Sequence, residues 1–170
     1  MCKTLSIILI VSVFLGSCKK ESSSSESNYY LKFKMNGNWI TWKKVVGELG
    51  PDLADPSKTD FGLTANNDTQ TELVDMSIQV DGSNFTTRTY TPDNYFMPVM
   101  YVKNANTPNL IGYSEGSATG RADSRYEITI TSITDKVIKG NFTGNYLENI
   151  GVDDDIVEIT EGEFVIPRIR

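Results

Sequence analysis

The side chains able to do chemistry are few in this chain, and their types limit what that chemistry is. There is no histidine, so the commonest acid/base group at neutral pH and the commonest metal ligand are both missing, and Ser-His-Asp, Cys-His and zincin arrangements are excluded. Glu161 and Glu163 stand two apart. In a regular strand they share a face at about 6.5 to 7 Å between alpha carbons, a spacing that brings a glycosidase acid/base pair to mind. Against it, the sequence offers no aromatic cleft beside them, and Gly162 between them disturbs the regular spacing. Asp153-Asp154-Asp155 clusters the hard oxygens that calcium prefers, but a three-Asp turn is equally a solvated loop, and the Asp/Asn spacing and final Glu of an EF-hand loop are lacking. Asn66-Asn67-Asp68 is a poorer version of the same. Trp39, with Tyr30 and Lys34 nearby, reads as an aromatic platform for a sugar ring or a partner's side chain. The competing reading packs Trp39 into the protein, under a second sheet or a loop, or through a shifted strand register. No Gly-rich phosphate loop occurs, and beyond the N-terminal Ser17-Cys18-Lys19-Lys20 there is no Ser-x-x-Lys spacing. No cofactor is expected, and no metal beyond the weak calcium candidate.

The elements that hold these residues follow from length and patterning. With 170 residues the chain suits one domain, and 16 Lys plus Arg against 22 Asp plus Glu give a net charge of -6. A balance of that sign argues against nucleic acid, which requires a basic face to displace counterions. From Asn28 onward alternating patterns recur with turn residues between them and no amphipathic helix intervenes. Asn36-Gly37 suits a two-residue type I' turn between Tyr29–Met35 and Asn38–Lys43. That register sets Phe33 against Ile40 and Leu31 against Trp42 on one face, with Tyr30, Lys32, Lys34, Trp39 and Thr41 on the other. Phe61, Leu63 and Ala65 mark a short strand. Val74, Met76, Ile78 and Val80 mark the clearest half-buried one, closed by Asp81-Gly82. Phe85–Tyr90 reads as a Thr-rich strand. Tyr95–Lys103 is apolar on both faces, hence covered twice or at a protected edge where Pro98 loses no ladder bond.

Tyr126, Ile128 and Ile130 alternate, and after Asp135-Lys136 so do Ile138, Gly140, Phe142, Gly144 and Tyr146 within Val137–Tyr146. Val157 and Ile159 are out of step with Phe164 and Ile166, and a bulge at Gly162 returns both sets to the core. Gly47–Thr59, Asn104–Asn109 and Gly112–Ser124 read as irregular loops. The expected fold is all-β: a single antiparallel β-sandwich or flattened barrel of roughly eight to ten strands.

At the N-terminus, Lys3 precedes the apolar run Leu5–Leu15 and the small residues Gly16 and Ser17. This is an export signal, since a run of about a dozen falls short of the roughly 20 residues that span a bilayer. Leu15-Gly16-Ser17-Cys18 resembles the lipobox of bacterial lipoproteins. The resemblance implies that residues 1–17 are removed, that Cys18 carries diacylglycerol and an acylated amine such as a palmitate, and that the membrane partner is reached through those chains. Cys2 leaves with the signal and Cys18 is alkylated, so no disulfide remains within one chain. Residues 18–27 read as the lipidated Cys and a disordered polar tether, and 28–170 as the β domain. The Cys-Lys-Lys-Glu-Ser opening resembles lipoproteins of the Bacteroidetes. The second mature position is Lys and not Asp, which implies the outer membrane, on its periplasmic or its surface face.

The closing stretches Tyr126–Thr131, Val137–Phe142 and Val157–Phe164, with Phe33-Lys-Met-Asn-Gly37 and Trp39 near the start, are similar to small Bacteroidetes lipoproteins of unknown function. That similarity implies an anchored all-β domain and supplies no catalytic residue. The expected role is a non-catalytic binding or assembly module of the cell envelope, meeting a glycan or an envelope protein. The rival is a carboxylate-based glycan hydrolase built on Glu161 and Glu163. The anchor is checked by growth on radiolabelled palmitate: label enters the wild type and is absent from Cys18→Ala, and a labelled mutant removes the anchor.

Overall fold

A computed structural model of the protein describes residues 28–115, 126–149 and 156–169. The signal segment 1–17, Cys18, the tether to 27 and the calcium candidate Asp153-Asp154-Asp155 lie outside the described residues. Among the described residues there are twelve strands and no helix: β1 Tyr30–Met35, β2 Asn38–Trp42, β3 Lys44–Pro51, β4 Lys58–Asn66, β5 Glu72–Asp81, β6 Thr89–Tyr90, β7 Val99–Lys103, β8 Ile111–Glu115, β9 Glu127–Ile133, β10 Val137–Thr143, β11 Asn145–Asn149 and β12 Ile156–Pro167. They make two antiparallel layers, β2-β1-β12-β10-β9-β6 and β3-β4-β5-β7-β8, which do not close into a barrel, so the sandwich is the form adopted. β11 pairs β12 on one flank and β8 on the other and carries the hydrogen bonding from layer to layer.

Alternation explains the layers. Phe61, Leu63 and Ala65 of β4 and Val74, Met76, Ile78 and Val80 of β5 are buried, as are Ile128 and Ile130 of β9 and Phe164 and Ile166 of β12. The layers meet through Phe61 and Phe164, whose rings are 6.0 Å apart. Phe61 also stacks on Phe85 at 5.2 Å, and Phe85 on Tyr90 at 5.0 Å. Offset stacking at such distances adds to the area the rings bury. In β12 the register slips one residue from the expected place: Phe33 faces Gly162 and Lys34 faces Thr160, so the extra residue of the bulge is Glu161 and Gly162 stays paired.

Several expectations need correction. The segment Gly47–Thr59 is mostly strand, since β3 runs to Pro51 and β4 starts at Lys58. Its Val45, Gly47 and Leu49 point inward, and Gly47 marks a close approach, because a Cβ there would lie 2.4 Å from Ile166 Cδ1 and 2.7 Å from the Pro167 carbonyl. Of Phe85–Tyr90 only Thr89–Tyr90 is strand. The Tyr90 hydroxyl accepts from the Thr86 N–H and donates to the Thr86 carbonyl, both at 2.8 Å, and rolls the preceding residues into a loop.

Of Tyr95–Lys103 the strand is Val99–Lys103, and it is central, between β5 and β8. The irregular residues before it give only carbonyls to β5, from Phe96 to Gln79 N–H and from Pro98 to Ser77 N–H, so Pro98 costs no bond. Gly112–Ser124 contains most of β8, with 116–125 outside the described residues. Val137–Tyr146 divides at Gly144, where a Cβ would meet the Ile159 carbonyl oxygen at 2.1 Å.

Two glycine substitutions test this packing. At Gly162 a Cβ would lie 2.3 Å from Phe142 Cζ and 2.7 Å from the Lys32 carbonyl, whereas at Gly62 nothing lies within 4 Å. Urea melts should show Gly162→Ala losing about 1–3 kcal/mol and Gly62→Ala staying within about 0.5 kcal/mol of the wild type. Equal midpoints for the two variants would contradict the bulge.

Candidate functional site

Two outward surfaces, one on each layer, gather the side chains of interest. The first starts from a turn. Asn36 and Gly37 have φ of 48° and 78°, the left-handed pair that a type I' turn requires. The turn is fixed to β12, where Asn36 N–H donates to the Glu158 carbonyl at 2.8 Å and Asn36 Oδ1 accepts the Glu158 N–H at 2.9 Å. The register of β1 and β2 is therefore the expected one, with Leu31 opposite Trp42, Phe33 opposite Ile40 and Lys34 opposite Trp39.

Trp39 is 51% exposed. Among the described residues it lies on the outer face of its layer and outside the buried core, which speaks against the packed reading of this residue. Lys32 and Lys34 bring their ammonium groups to 4.7 and 5.1 Å from its ring centre. Across the other flank of β1, Lys34 pairs with Glu161, and Lys32 lies 3.7 Å from Glu163. Burial, then the Glu163 carboxylate, raises the Tyr30 phenol above its ordinary pKa. The structure thus joins Tyr30, Lys34 and Trp39 with Glu161 and Glu163, two groupings that the sequence kept apart.

What this face can do follows from its flatness. Glu161 and Glu163 are exposed, each lies beside a lysine, and both stand on an open sheet surface that leaves them in water. Such carboxylates order the lysines that flank the indole. The face also borders an edge that is free among the described residues, where β2 pairs only with β1. A two-residue turn makes Met35 and Asn38 a hydrogen-bonded pair. By alternation the backbone N–H and C=O of Trp39 and Thr41 point away from β1.

The second surface is the outer face of β3, β4 and β5, a feature the sequence reading missed. Glu48, Gly62 and Ser77 form one cross-strand row and Gly50, Asp60 and Gln79 the next. The small residues leave a trough of about 500 Å³, bordered by Asp52, Leu53 and Phe96. Lys58 Nζ donates to Gln79 Oε1 at 3.0 Å, which turns Gln79 Nε2 toward Asp52 Oδ2 at 2.8 Å and Asp60 Oδ1 at 3.1 Å. The backbone N–H groups of Asp55 and Ala54, and a hydrogen bond with Asp60, hold Asp52 below the usual carboxylate range. Burial and the Asp52 carboxylate push Asp60 up, against the Gln79 amide.

The two carboxyls thus act on each other across one contact, Asp52 held low and Asp60 pushed up. This contact is closer than the separation of about 5 Å or more that an acid and a nucleophile need around a glycosidic bond. Among the described residues no three or more His, Cys, Asp or Glu side chains converge as a metal site. A signal existed in the small outward residues Gly50, Gly62 and Ser77, yet their alignment depends on a register that only the structure supplies.

No family model, curated protein or solved structure matches this chain.

The exposure of Trp39 is checked against Trp42, which is buried and meets Phe33 edge-on at 5.1 Å. Trp42→Ala should cost about 3–5 kcal/mol and Trp39→Ala less than about 1 kcal/mol. A Trp39→Ala loss as large as that of Trp42→Ala would put the indole back in the core.

Proposed function

We propose that this protein is a lipid-anchored β domain of the bacterial outer membrane, acylated on Cys18, that acts as a non-catalytic binding or assembly module for an envelope protein. The observation that carries the reading is the exposed Trp39 beside the β2 edge, which is free among the described residues. An extended segment of a partner can add to such an edge, with main-chain bonds to Trp39 and Thr41 supplying affinity and contact with the indole supplying selectivity. Aromatic rings are well suited to this, because they bury a large rigid area at low entropic cost. The pairing of Glu161 and Glu163 with lysines on an open face favours this reading over the hydrolase.

Photo-crosslinking in intact cells tests the proposal, with p-benzoylphenylalanine placed at position 39 and, as a control, at exposed position 93 on the connection from β6 to β7. A discrete adduct is expected from position 39 and not from 93. Adding Thr41→Pro removes an outward N–H without touching the β1 ladder, so it should abolish the adduct while shifting the melt by less than about 1 kcal/mol. An adduct that survives Thr41→Pro, or appears equally from 93, would rule out recognition along the β2 edge.

A further inference from the structure

Phe96 is 69% exposed, and its place is set by the backbone. Its carbonyl accepts the Gln79 N–H at 2.9 Å in an antiparallel bridge. Directly opposed residues of such a pair share a face, so the ring stands beside the Gln79 amide on the outer side of β5. Phe96 and Gln79 border two hollows at once: the trough of about 500 Å³ toward β3 and another of about 350 Å³ reaching Lys58, Asn84 and Arg88. Each lies in the range of about 300–1,000 Å³ usual for small-ligand sites. A second exposed apolar side chain, Leu53 at 89%, borders the larger one.

The polar groups beneath are held in place before any ligand arrives. Lysine has donors only, so the Lys58 contact fixes which end of the Gln79 amide is oxygen. Asp52 is held by two backbone N–H groups at 2.6 and 2.7 Å, and Asp60 by the same amide that reaches Asp52. Planar carboxyl and amide groups side by side are suited to adjacent hydroxyls, each of which both gives and accepts a hydrogen bond. An aromatic plate next to them is suited to the C–H face of a pyranose ring. The nearby carboxylates, Glu48 among them, disfavour an anion. The engagement of Asp52 by two backbone N–H groups, and of both carboxyls by the Gln79 amide, reduces the pull on a cation.

We infer that the groove over β3, β4 and β5 is a binding site for neutral sugar residues, with Phe96 as the stacking ring and Gln79, Asp60 and Asp52 as the hydroxyl-binding groups. It lies on the layer opposite Trp39, so it stands or falls independently of the β2 edge. An open trough of this kind binds weakly and profits from a polymer whose successive residues cross both hollows.

Native affinity electrophoresis of the full chain in mild detergent, in gels containing starch, laminarin, xylan, galactomannan or dextran, is the test. At least one of the five should retard the protein. Phe96→Ala and Gln79→Ala should weaken that retardation by about tenfold or more, and Leu110→Ala, an exposed apolar residue that borders neither hollow, should leave it unchanged. Gly62→Leu, which fills the trough at a position with nothing within 4 Å of its Cβ, should do the same as Phe96→Ala without loss of fold by circular dichroism. Absence of retardation in all five gels overturns the proposal, as does retardation that survives Phe96→Ala and Gln79→Ala or disappears with Leu110→Ala. Binding of a labelled tri-lysine peptide that Asp52→Asn abolishes, without any polysaccharide effect, would reassign the groove to cations.

Discussion

β12 is hydrogen-bonded on both flanks, to β1 along one side and to β10 and β11 along the other, and both ladders must be satisfied by one count of residues. Val157 and Ile159 occupy odd positions and Phe164 and Ile166 even ones, and all four are buried. A strand of strict period two would turn one pair to water, at a cost of about 1.5–3 kcal/mol for each large apolar side chain. The extra residue Glu161 removes the conflict, and Gly162 beside it makes room for the Phe142 ring. The same slip decides the outside of the layer. It puts Glu161 and Glu163 on the two sides of an inward glycine and within reach of Lys34 and Lys32, which in turn flank Trp39. Core parity and surface charge pattern are thus one decision.

The two outer faces differ in what they offer because their inner faces impose different demands. Among the described residues the β1–β2 hairpin is an edge, so its outward groups include backbone as well as an indole, and its lysines meet the glutamates of β12. β4 and β5 are interior strands whose main-chain groups are used by neighbours, and there only side chains face outward. Replacing bulk with Gly50, Gly62 and Ser77 makes a hollow on that face without weakening the core, since Phe61, Leu63 and Ile78 point the other way. A sandwich keeps stability between its layers and leaves both exteriors open to other uses.

How much of this was legible follows from local determinism. The hairpin at Asn36-Gly37 could be read to the residue, because a two-residue turn fixes the register and both positions adopt the positive φ it demands. The bulge could be read because parity is a counting argument. β3 was hidden, since Gly47 and Gly50 look like loop residues until one sees that Gly47 is where β3 passes against Ile166 and Pro167. β6 was overextended, because the Thr residues after Phe85 have strand propensity and the Tyr90 hydroxyl, a tertiary contact, overrides it. The burial of Trp39 was open in sequence, as it depended on whether something lay above it. The groove was the least legible feature: it requires three strands in register and Phe96 outside a strand, and neither follows from nearby residues.

The position of β1 has a mechanical consequence. The chain enters it at Tyr30, and its six residues are bonded to β12 on one flank and β2 on the other. Traction applied from residue 28 along the strand axis therefore loads both ladders in shear, with their bonds sharing the force, whereas a strand at the rim has a single ladder to share it. Resistance to a steady pull is governed by the rate of forced opening and not by equilibrium stability. Were the domain tethered through the residues before β1, as proposed above, any pull on it would fall on both of these ladders at once.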